Sequence, residues 1–343
     1  MATRPQTNRP AAVRTITIVD VAAEANVSKS TVSLVLKGSP LIKGETADRV
    51  KEAAQKLGYV YNRRAGELRG NASNAIGVVI NDLMNPFFAE VLVGIEQKLV
   101  DAGYVVLMAH TREDVTLQDK VLQSMREQNA AGIMLCPALN TPRSVLQTIQ
   151  DWGIPLTVFV RNLGAGSYDF AGSDSEEGVF LATTHLLQCG HQQVAFLGGQ
   201  KGVVFTQRLA GYKKALLAKG LKFSENLVFN ANPSRTGGYE AMNALLQDQP
   251  GLRAAVSYND VVAFGALSAL GEKGLRAGTD FALFGFDNIL DTAHSNPPLS
   301  TVDVNPGALG AHAAAILLQR IQEPDSKRLV YTAAPRLVLR QTA

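Results

Sequence analysis

Cysteine is nearly absent from this sequence of 343 residues, which contains only Cys136 and Cys189. Each lies in an apolar stretch, so we expect no disulfide framework, a reducing compartment and two structural thiols. Long apolar runs are also missing: no window approaches the roughly 18 consecutive apolar residues of a membrane span, and the N-terminus has no apolar leader segment. We therefore expect a cytoplasmic protein that is neither exported nor inserted in a membrane.

The residue patterns of common enzyme and metal sites are absent as well. No phosphate-binding loop occurs, and Gly198-Gly199 lacks the spacing of a nucleotide-binding fingerprint. Neither a serine nucleophile elbow nor a paired-carboxylate pattern is evident. His185, Cys189 and His191 are close in the chain, but no fourth ligand accompanies them. These absences predict a protein that is not an enzyme and that needs no metal or cofactor.

Basic residues are concentrated at the front of the chain. Residues 1–70 hold 12 Lys and Arg against 6 Asp and Glu, whereas the remainder holds 21 against 24. This division is typical of a polyanion-binding unit joined to a second unit, although a short basic tail can also serve only solubility. Residues 1–15 are polar, basic and rich in proline, and predict a flexible arm. With 46% apolar residues, the chain can fill the two or three cores expected for its length.

Three short helical patterns follow this arm. Apolar residues recur at helical spacing in two segments that are interrupted near Asn26, a residue type that tolerates a left-handed turn. Thr17 and Ser28 stand where helix N-caps are expected, and Asp20 completes a capping box with Thr17. A third pattern at 46–57 completes a small all-α unit of the size of a DNA-binding module.

The rest of the chain alternates short β-rich runs with helical windows. Such alternation is typical of βαβ units in parallel sheets that helices cover on both faces. It predicts an α/β region of two doubly wound parallel-sheet lobes, with ligands bound at the carboxyl ends of the strands. The β-rich runs are 76–80, 105–108, 133–135, 156–160, 194–197, 254–257 and 281–284.

The stretch from Thr17 to Leu36 resembles the helix-turn-helix of the lactose-repressor (LacI/GalR) family. The similarity continues through Arg49-Val50, Leu57-Gly58-Tyr59 and Asn62-Arg63. It implies a sequence-specific DNA-binding transcriptional regulator, and specifically a repressor whose affinity for operator DNA is controlled allosterically by a small molecule. In such a module the second helix lies in the major groove.

The resemblance assigns DNA-contacting roles within this motif. It implies base contacts by Lys29, Ser30 and Leu34, and phosphate contacts by Ser28, Thr31 and Ser33, with Thr17 also among the DNA-binding positions. The family commonly has arginine where this chain has Leu34. Because leucine can contact a thymine methyl group but cannot bind guanine in bidentate fashion, we expect an operator that differs from the family's common half-site.

The segment at 62–73 resembles the family's hinge helix, which becomes ordered only on operator DNA. By this resemblance a leucine enters the minor groove as a wedge and bends the duplex. Without the flanking similarity, the same segment would be interpreted as a solvated linker. The implied DNA-binding residues of the hinge are Asn62, Arg63, Ala65 and Leu68.

The α/β region shares this resemblance, which extends to periplasmic sugar-binding proteins and implies an effector cleft between two lobes. Carboxylates, amides and guanidinium groups there suit a carbohydrate, and two arginines are also compatible with a sugar acid. Singly, each polar residue is also compatible with a strand-end cap, and Phe87 or Phe88 with core packing. The implied effector-binding residues are Asp82, Asn85, Phe87, Phe88, Arg161, Asp174, Arg208, Asn259 and Asp287.

The resemblance also sets expected domain bounds and assembly. Because one helix-turn-helix covers only one half-site, we expect a homodimer on a pseudo-palindrome, with effector binding shifting the equilibrium between two states. A periplasmic-type sugar receptor is the alternative interpretation, against which the DNA-binding motif argues. The expected bounds are 16–61 for the helix-turn-helix, 62–73 for the hinge and 74–343 for the effector-binding and dimerisation domain, with one lobe at about 74–189 and 299–327 and the other at about 190–298 and 328–343.

Overall fold

The computed structural model describes residues 16–36, 38–59 and 73–343. The chain divides into two compact units between Ala72 and Ser73. The predicted arm at 1–15 lies outside the described residues. So do the predicted hinge contacts Asn62, Arg63, Ala65 and Leu68.

The described residues of the first unit form a small helical bundle. Its helices are α1 (Ile18–Glu24), α2 (Lys29–Leu36) and α3 (Glu45–Leu57). Val21, Val32 and Val50, one from each helix, are fully buried at the centre of its core. Because each valine lies on the inward face of its helix, their burial against one another fixes the helix packing.

Capping interactions set the helix ends of this unit as the sequence predicts. The backbone N–H and the hydroxyl of Thr17 both donate to the Asp20 carboxylate at 2.7 Å. The Ser28 hydroxyl accepts from the backbone N–H of Thr31 at 3.1 Å, at the start of α2. Asn26 occupies the left-handed region with φ 51°, so the turn between α1 and α2 is confirmed.

The first lobe of the second unit contains a six-stranded sheet. The elements of this lobe are β1 (Ala75–Ile80), α4 (Pro86–Asp101), β2 (Val105–His110), α5 (Val115–Glu127), β3 (Gly132–Leu135), α6 (Ser144–Asp151), β4 (Leu156–Phe159), β5 (Asp169–Ser173), α11 (Pro306–Gln322) and β11 (Val330–Ala333). The strands run in the order β11-β5-β4-β3-β1-β2, and all neighbours are parallel. Helix α11 packs against α4 on one face of this sheet.

The second lobe contains a four-stranded parallel sheet and an antiparallel pair of strands. Its elements are α7 (Ser175–Gln188), β6 (Ala195–Leu197), α8 (Val203–Ala218), β7 (Val228–Phe229), α9 (Arg235–Asp248), β8 (Ala254–Ser257), α10 (Asp260–Glu272), β9 (Ala282–Phe284), β10 (Thr301–Asp303) and β12 (Arg336–Val338). The four-stranded sheet has the order β7-β6-β8-β9. The antiparallel pair, β10 and β12, adjoins it through a bridge between Phe284 and Ser300.

All seven predicted β-rich runs form strands, and the predicted class of two parallel-sheet lobes is confirmed. The predicted crossings between lobes, near 189, 298 and 327, are wrong. Helix α7 already packs on the second lobe, because a Cβ atom at Gly178 would lie 2.6 Å from the Phe286 ring. Strand β10 adjoins the second sheet and β11 pairs with β5 of the first.

The chain therefore crosses between the lobes near 174, 304 and 335. Strands of three to five residues with mixed burial show little alternation of apolar and polar residues, so the sequence pattern does not reveal them. Only their hydrogen-bonded pairing reveals which sheet they join.

Candidate effector-binding cleft and DNA-binding face

A small cavity of about 70 Å³ lies within the second unit, where the carboxyl ends of strands from both sheets meet. Parallel sheets expose unsatisfied backbone groups and loop side chains at this edge, which is where α/β proteins bind ligands. Eight of the nine predicted effector-binding residues line the cavity. They are Asp82, Asn85, Phe87, Phe88, Arg161, Arg208, Asn259 and Asp287.

The ninth predicted residue, Asp174, does not line this cavity. Its carboxylate accepts a hydrogen bond from the backbone N–H of Glu177 at 2.9 Å and caps the N-terminus of α7. Asp174 therefore has the strand-end capping role that the sequence left open as the alternative.

The wall of the cavity on the first lobe is a network centred on Arg161 and Glu113. Two guanidinium nitrogens of Arg161 donate to the two carboxylate oxygens of Glu113, each at 2.9 Å. The Asn81 amide and the Leu139 backbone N–H also donate to Glu113, at 2.7 and 2.6 Å. Arg161 donates further to the carbonyl of Pro137 at 2.6 Å. Since these residues follow β1, β2, β3 and β4, the network ties four strand ends together.

Both members of this ion pair are charged at neutral pH. Burial by itself raises the pKa of Glu113, but the hydrogen bonds and positive charge of Arg161 outweigh it and hold the pKa below its ordinary value of 4.5. Burial lowers the pKa of Arg161, whereas Glu113 raises it, and the net shift is upward. The pair therefore presents a guanidinium whose charge is already compensated.

Three residues that line the cavity have backbone conformations that are rare for residues with side chains. Glu113 has φ 58°, Val160 has φ 62° and Asp287 has φ 115°, and Arg112 precedes Glu113 with φ 54°. A positive φ at a β-branched residue such as Val160 is an outlier. Such conformations cost on the order of 1–3 kcal/mol each and cluster at functional sites, where the surrounding structure holds them in place.

On the second lobe, Arg208 of α8 reaches the cavity between two aromatic rings. Its guanidinium carbon lies 3.8 Å from the centroid of the Phe286 ring and 4.7 Å from that of Tyr258. One terminal nitrogen donates to Asp287 at 3.2 Å and the other to the carbonyl of Tyr258. The Nε of Arg208 is buried with no hydrogen-bond partner among the described residues.

Two carboxyls of the second lobe, those of Asp287 and Asp260, are buried close to each other. Burial raises the pKa of Asp287 to about 6, although the charge of Arg208 opposes the shift. Burial and the charge of Asp287 raise the pKa of Asp260 well above its ordinary value. Asp260 accepts hydrogen bonds from the Thr301 hydroxyl at 2.5 Å and the Ile289 N–H at 3.0 Å, so it braces the loop that carries Asp287.

The loop after β1 contributes polar caps and apolar rings. Asn85 caps α4 through a bond from the Phe87 N–H at 3.1 Å, and Asp82 accepts from the Met84 N–H at 2.8 Å. Phe87 and Phe88 are each 5% exposed and meet edge to face at 5.2 Å. Both rings belong to the main core as well as lining the cavity, so the two interpretations of these rings are compatible.

Sequence reasoning missed several residues that line the cavity. Asn81, Glu113 and Cys136 lie at the ends of first-lobe strands, and Tyr258 lies at the end of β8. Their position directly after predicted strands was the signal that could have identified them. The pairing of Glu113 with Arg161, 48 residues away, has no signature in local sequence.

In the first unit, the predicted DNA-contacting residues lie at the start of α1 and along α2, and they differ in exposure. Ser28, Lys29 and Ser30 are exposed, whereas Thr31, Ser33 and Leu34 are half-buried. Thr17 is exposed at the start of α1. Since Val32 and Val35 bury the opposite face of α2, its first turn is free to approach a partner.

A wider groove of about 760 Å³ lies at the opposite, amino-terminal edge of the first sheet. Arg320 lines it, but its guanidinium is occupied by the Asp169 carboxylate, at 2.8 and 3.0 Å, and by three backbone carbonyls. Because ligands of such folds bind at the carboxyl ends of strands, the smaller cavity is the better candidate for the effector site.

Residues 16–36, 38–59 and 73–343 contain neither a membrane-spanning helix nor a metal-binding cluster. No helix in these ranges has the length and apolar character to cross a bilayer. Nor do three or more His, Cys, Asp or Glu side chains in these ranges group so that they could hold a metal ion.

The first unit is a helix-turn-helix with an exposed polar face, and the second is a two-lobed α/β unit with a polar cavity between its strand ends. Together these features define a ligand-responsive DNA-binding regulator. Residues 17–62 match the bacterial regulatory proteins of the lacI family. Residues 73–336 match the periplasmic binding proteins and sugar binding domain of the LacI family. The chain belongs to the LacI family.

Individual proteins support this membership over nearly the whole chain. The transcriptional repressor PurR of Pasteurella multocida is 32% identical over 327 residues, which span 95% of this chain and 98% of that protein. The maltose regulon regulatory protein MalI of Escherichia coli is 32% identical over 335 residues, which span 94% of this chain and 98% of that protein.

Solved structures agree with these relatives. The lac repressor dimer bound to operator and the anti-inducer ONPF has a TM-score of 0.84 at 26% identity, with 96% of this chain and 99% of that chain covered. A complex of the regulator CelR with cellobiose has a TM-score of 0.73 at 27% identity, with 96% and 100% covered.

Membership settles the general function. The chain is a DNA-binding transcriptional repressor with an effector-binding domain, and its family is not enzymatic. The alternative of a periplasmic-type receptor is not favoured, because the match at 17–62 adds a DNA-binding unit to the receptor-like lobes.

Proposed function

We propose that a carbohydrate-class effector binds in the cavity between the lobes and controls the affinity of this repressor for its operator. The ring of polar side chains at the carboxyl ends of both sheets carries this proposal. Carboxylates, an amide and guanidinium groups over buried aromatic rings suit a ligand with many hydroxyl groups. The cellobiose complex of CelR is in keeping with this ligand class.

Closure of the lobes is the proposed link between effector and operator. In this structure the lobes touch across the cleft, where the Glu90 carboxylate accepts the Leu290 N–H at 2.8 Å. An effector that contacts both walls stabilises one arrangement of the lobes over another, and operator affinity changes by that difference in binding free energy.

The DNA-binding roles also belong to this proposal. Lys29, Ser30 and Leu34 read base edges in the major groove, while Thr17, Ser28, Thr31 and Ser33 fix the register on phosphates. The exposure of Thr17, Ser28, Lys29 and Ser30 supports these roles. Asn62, Arg63, Ala65 and Leu68 complete the DNA contacts as hinge residues.

We further propose that the repressor acts as a homodimer in the cytoplasm, where chromosomal operators are found. Each unit at 16–61 covers one half-site, so two copies related by a twofold axis read a pseudo-palindrome. The lac repressor is a dimer in its operator complex, which is in keeping with this assembly.

The proposal is tested with the full chain in two steps. Duplexes selected from a random pool should converge on a pseudo-palindrome, and at least one sugar from a panel including cellobiose and ribose should change operator affinity by roughly 5- to 150-fold. Asp82→Ala should abolish this response, whereas Glu96→Ala, an exposed change on α4 of the same lobe, should retain it.

Two results would count against the proposal. Failure to enrich any common duplex would remove the operator assignment. An undiminished sugar response in Asp82→Ala would move the effector away from this cavity.

A further inference from the structure

The charges that face the cavity do not sum to a positive site, although two arginines line it. Arg161 is paired with Glu113 and Arg208 with Asp287. Asp82 also lines the cavity, and no salt bridge to it is found in the described part of the chain. The cavity therefore has one negative charge in excess when Asp287 is ionised, which disfavours the sugar acid that the two arginines suggested.

Glu113 holds its arginine more completely than Asp287 does. It engages Arg161 through both oxygens, whereas Asp287 contacts Arg208 through a single bond of 3.2 Å. Bidentate pairs of this kind are the strongest and most directional ion pairs in proteins. An incoming carboxylate would have to displace Glu113 or approach its negative charge.

The backbone fixes Glu113 in this position. Successive left-handed conformations at Arg112 and Glu113 turn the chain directly after β2, and the Leu139 N–H and Asn81 amide hold the carboxylate from two other strand ends. Because strain of this kind persists only where surrounding contacts hold it, the Glu113 carboxylate is a built part of the cavity wall.

We propose that Glu113 sets the charge of the effector: by neutralising Arg161 it excludes anionic sugars and restricts the cavity to uncharged ones. This proposal rests on the proposed function, since it concerns the ligand of the same cavity. Glu113 acts here as a specificity-determining residue, because it occupies the Arg161 guanidinium that would otherwise bind an anion.

The test uses sugar pairs that differ only in charge, namely glucose with glucuronate and galactose with galacturonate. Binding to the full chain is measured by calorimetry and by thermal shift at neutral pH. The wild type should bind at least one neutral sugar and bind its acid more weakly. Glu113→Gln should raise the affinity ratio of acid to neutral sugar by about tenfold or more, since the sugar carboxylate can then form a charged hydrogen bond with Arg161.

Matched variants separate the release of Arg161 from a general change of charge. Glu127→Gln makes the same chemical change at the far, exposed end of α5 and should keep the wild-type ratio. Glu113→Gln combined with Arg161→Gln should lose the gained acid binding. An equal gain of acid binding in Asp82→Asn and in Glu113→Gln would overturn the specific role of Glu113.

The wild type alone can decide the matter if Glu113→Gln does not fold. Tighter binding of an acid than of its neutral counterpart by the wild type overturns the inference. Binding of a neutral sugar with continued exclusion of acids by folded Glu113→Gln overturns it while leaving the proposed function intact. Binding of no sugar of either charge by either protein overturns both.

Discussion

Arg208 and Asp287 form an ion pair that is almost completely removed from solvent: their side chains are 7% and 5% exposed, and Nη2 lies 3.2 Å from Oδ1. The pair joins α8 to the loop after β9, at the floor of the cavity. Removing either charge alone leaves the other buried without its partner, which is the costly situation for a buried ion pair.

Replacement of Arg208 by methionine should therefore lower the free energy of unfolding by about 3–5 kcal/mol. Arg235→Met is the matched control. Arg235 also pairs with an aspartate, Asp291 at 3.5 Å, and lies over a phenylalanine ring. The side chains of Arg235 and Asp291 are, however, 64% and 58% exposed. The control should cost less than about 1 kcal/mol. Urea unfolding of the three proteins measures both values, and equal losses would contradict the assignment of a buried pair.

The sequence alone predicts those elements in which several consecutive residues favour the same secondary structure. Strand β1, with the run from Ile76 to Ile80, was predicted because its apolar residues are continuous. Strand β5 was missed because it contains Asp169 and Gly172, which are poor strand formers. Its stability comes from elsewhere: Asp169 is buried against Arg320, which is 151 residues away in the chain.

The cavity was predictable to a similar extent. The family resemblance located residues that follow strands, and eight of nine meet at one cavity. What could not be predicted is how those residues pair. Glu113 and Asp287 cancel the charges of Arg161 and Arg208 through contacts between distant strand ends, so the charge of the site is a property of the fold.

Helices α4 and α11 cross at a point where only glycine fits. A Cβ atom at Gly94 would lie 2.0 Å from the carbonyl oxygen of Gly307, a contact that backbone movement alone can relieve. Gly94→Ala should therefore destabilise the protein by about 1–3 kcal/mol. Gly271→Ala in α10 should instead be neutral or stabilising by up to about 1 kcal/mol, because no atom lies within 4 Å of its Cβ position. Thermal unfolding measures the sign of the stability change in both variants. A Gly94→Ala variant as stable as the wild type would refute the tight crossing.

The two cysteines differ in environment, contrary to the prediction that both are structural thiols. Cys136 is fully buried, and burial raises its pKa to about 12, whereas Cys189 is exposed at the end of α7. Since the thiolate is the reactive form, the native protein should react rapidly with a thiol reagent at pH 8 at one site, and the unfolded protein at two. Cys189→Ser should abolish the rapid phase. A rapid phase that survives in this variant would contradict the burial of Cys136.

Lys29 lies at the exposed start of α2, and the proposed function assigns it a contact with a base edge. Lys29→Ala should weaken binding to the selected operator by about 1–3 kcal/mol and change binding to unrelated duplexes much less. Lys51→Ala, on the exposed face of α3, is the control with the same loss of charge and should have little effect on operator discrimination. Anisotropy titrations at several salt concentrations distinguish the two. A uniform loss across all sequences would assign Lys29 to phosphate instead.

The Glu113–Arg161 pair should make the free energy of unfolding depend on pH, with its stabilising contribution lost at acid pH. Because the pKa of Glu113 in the folded protein lies below its ordinary value of 4.5, its contribution is complete above pH 4.5 and is lost as the pH falls through the folded value. Glu113→Gln should cost about 1–3 kcal/mol at pH 7. This difference should stay constant down to about pH 5 and narrow below that. Urea unfolding of wild type and variant between about pH 3 and 7 measures the difference. A gap that widens on acidification would show that Glu113 is not held in its charged form by Arg161.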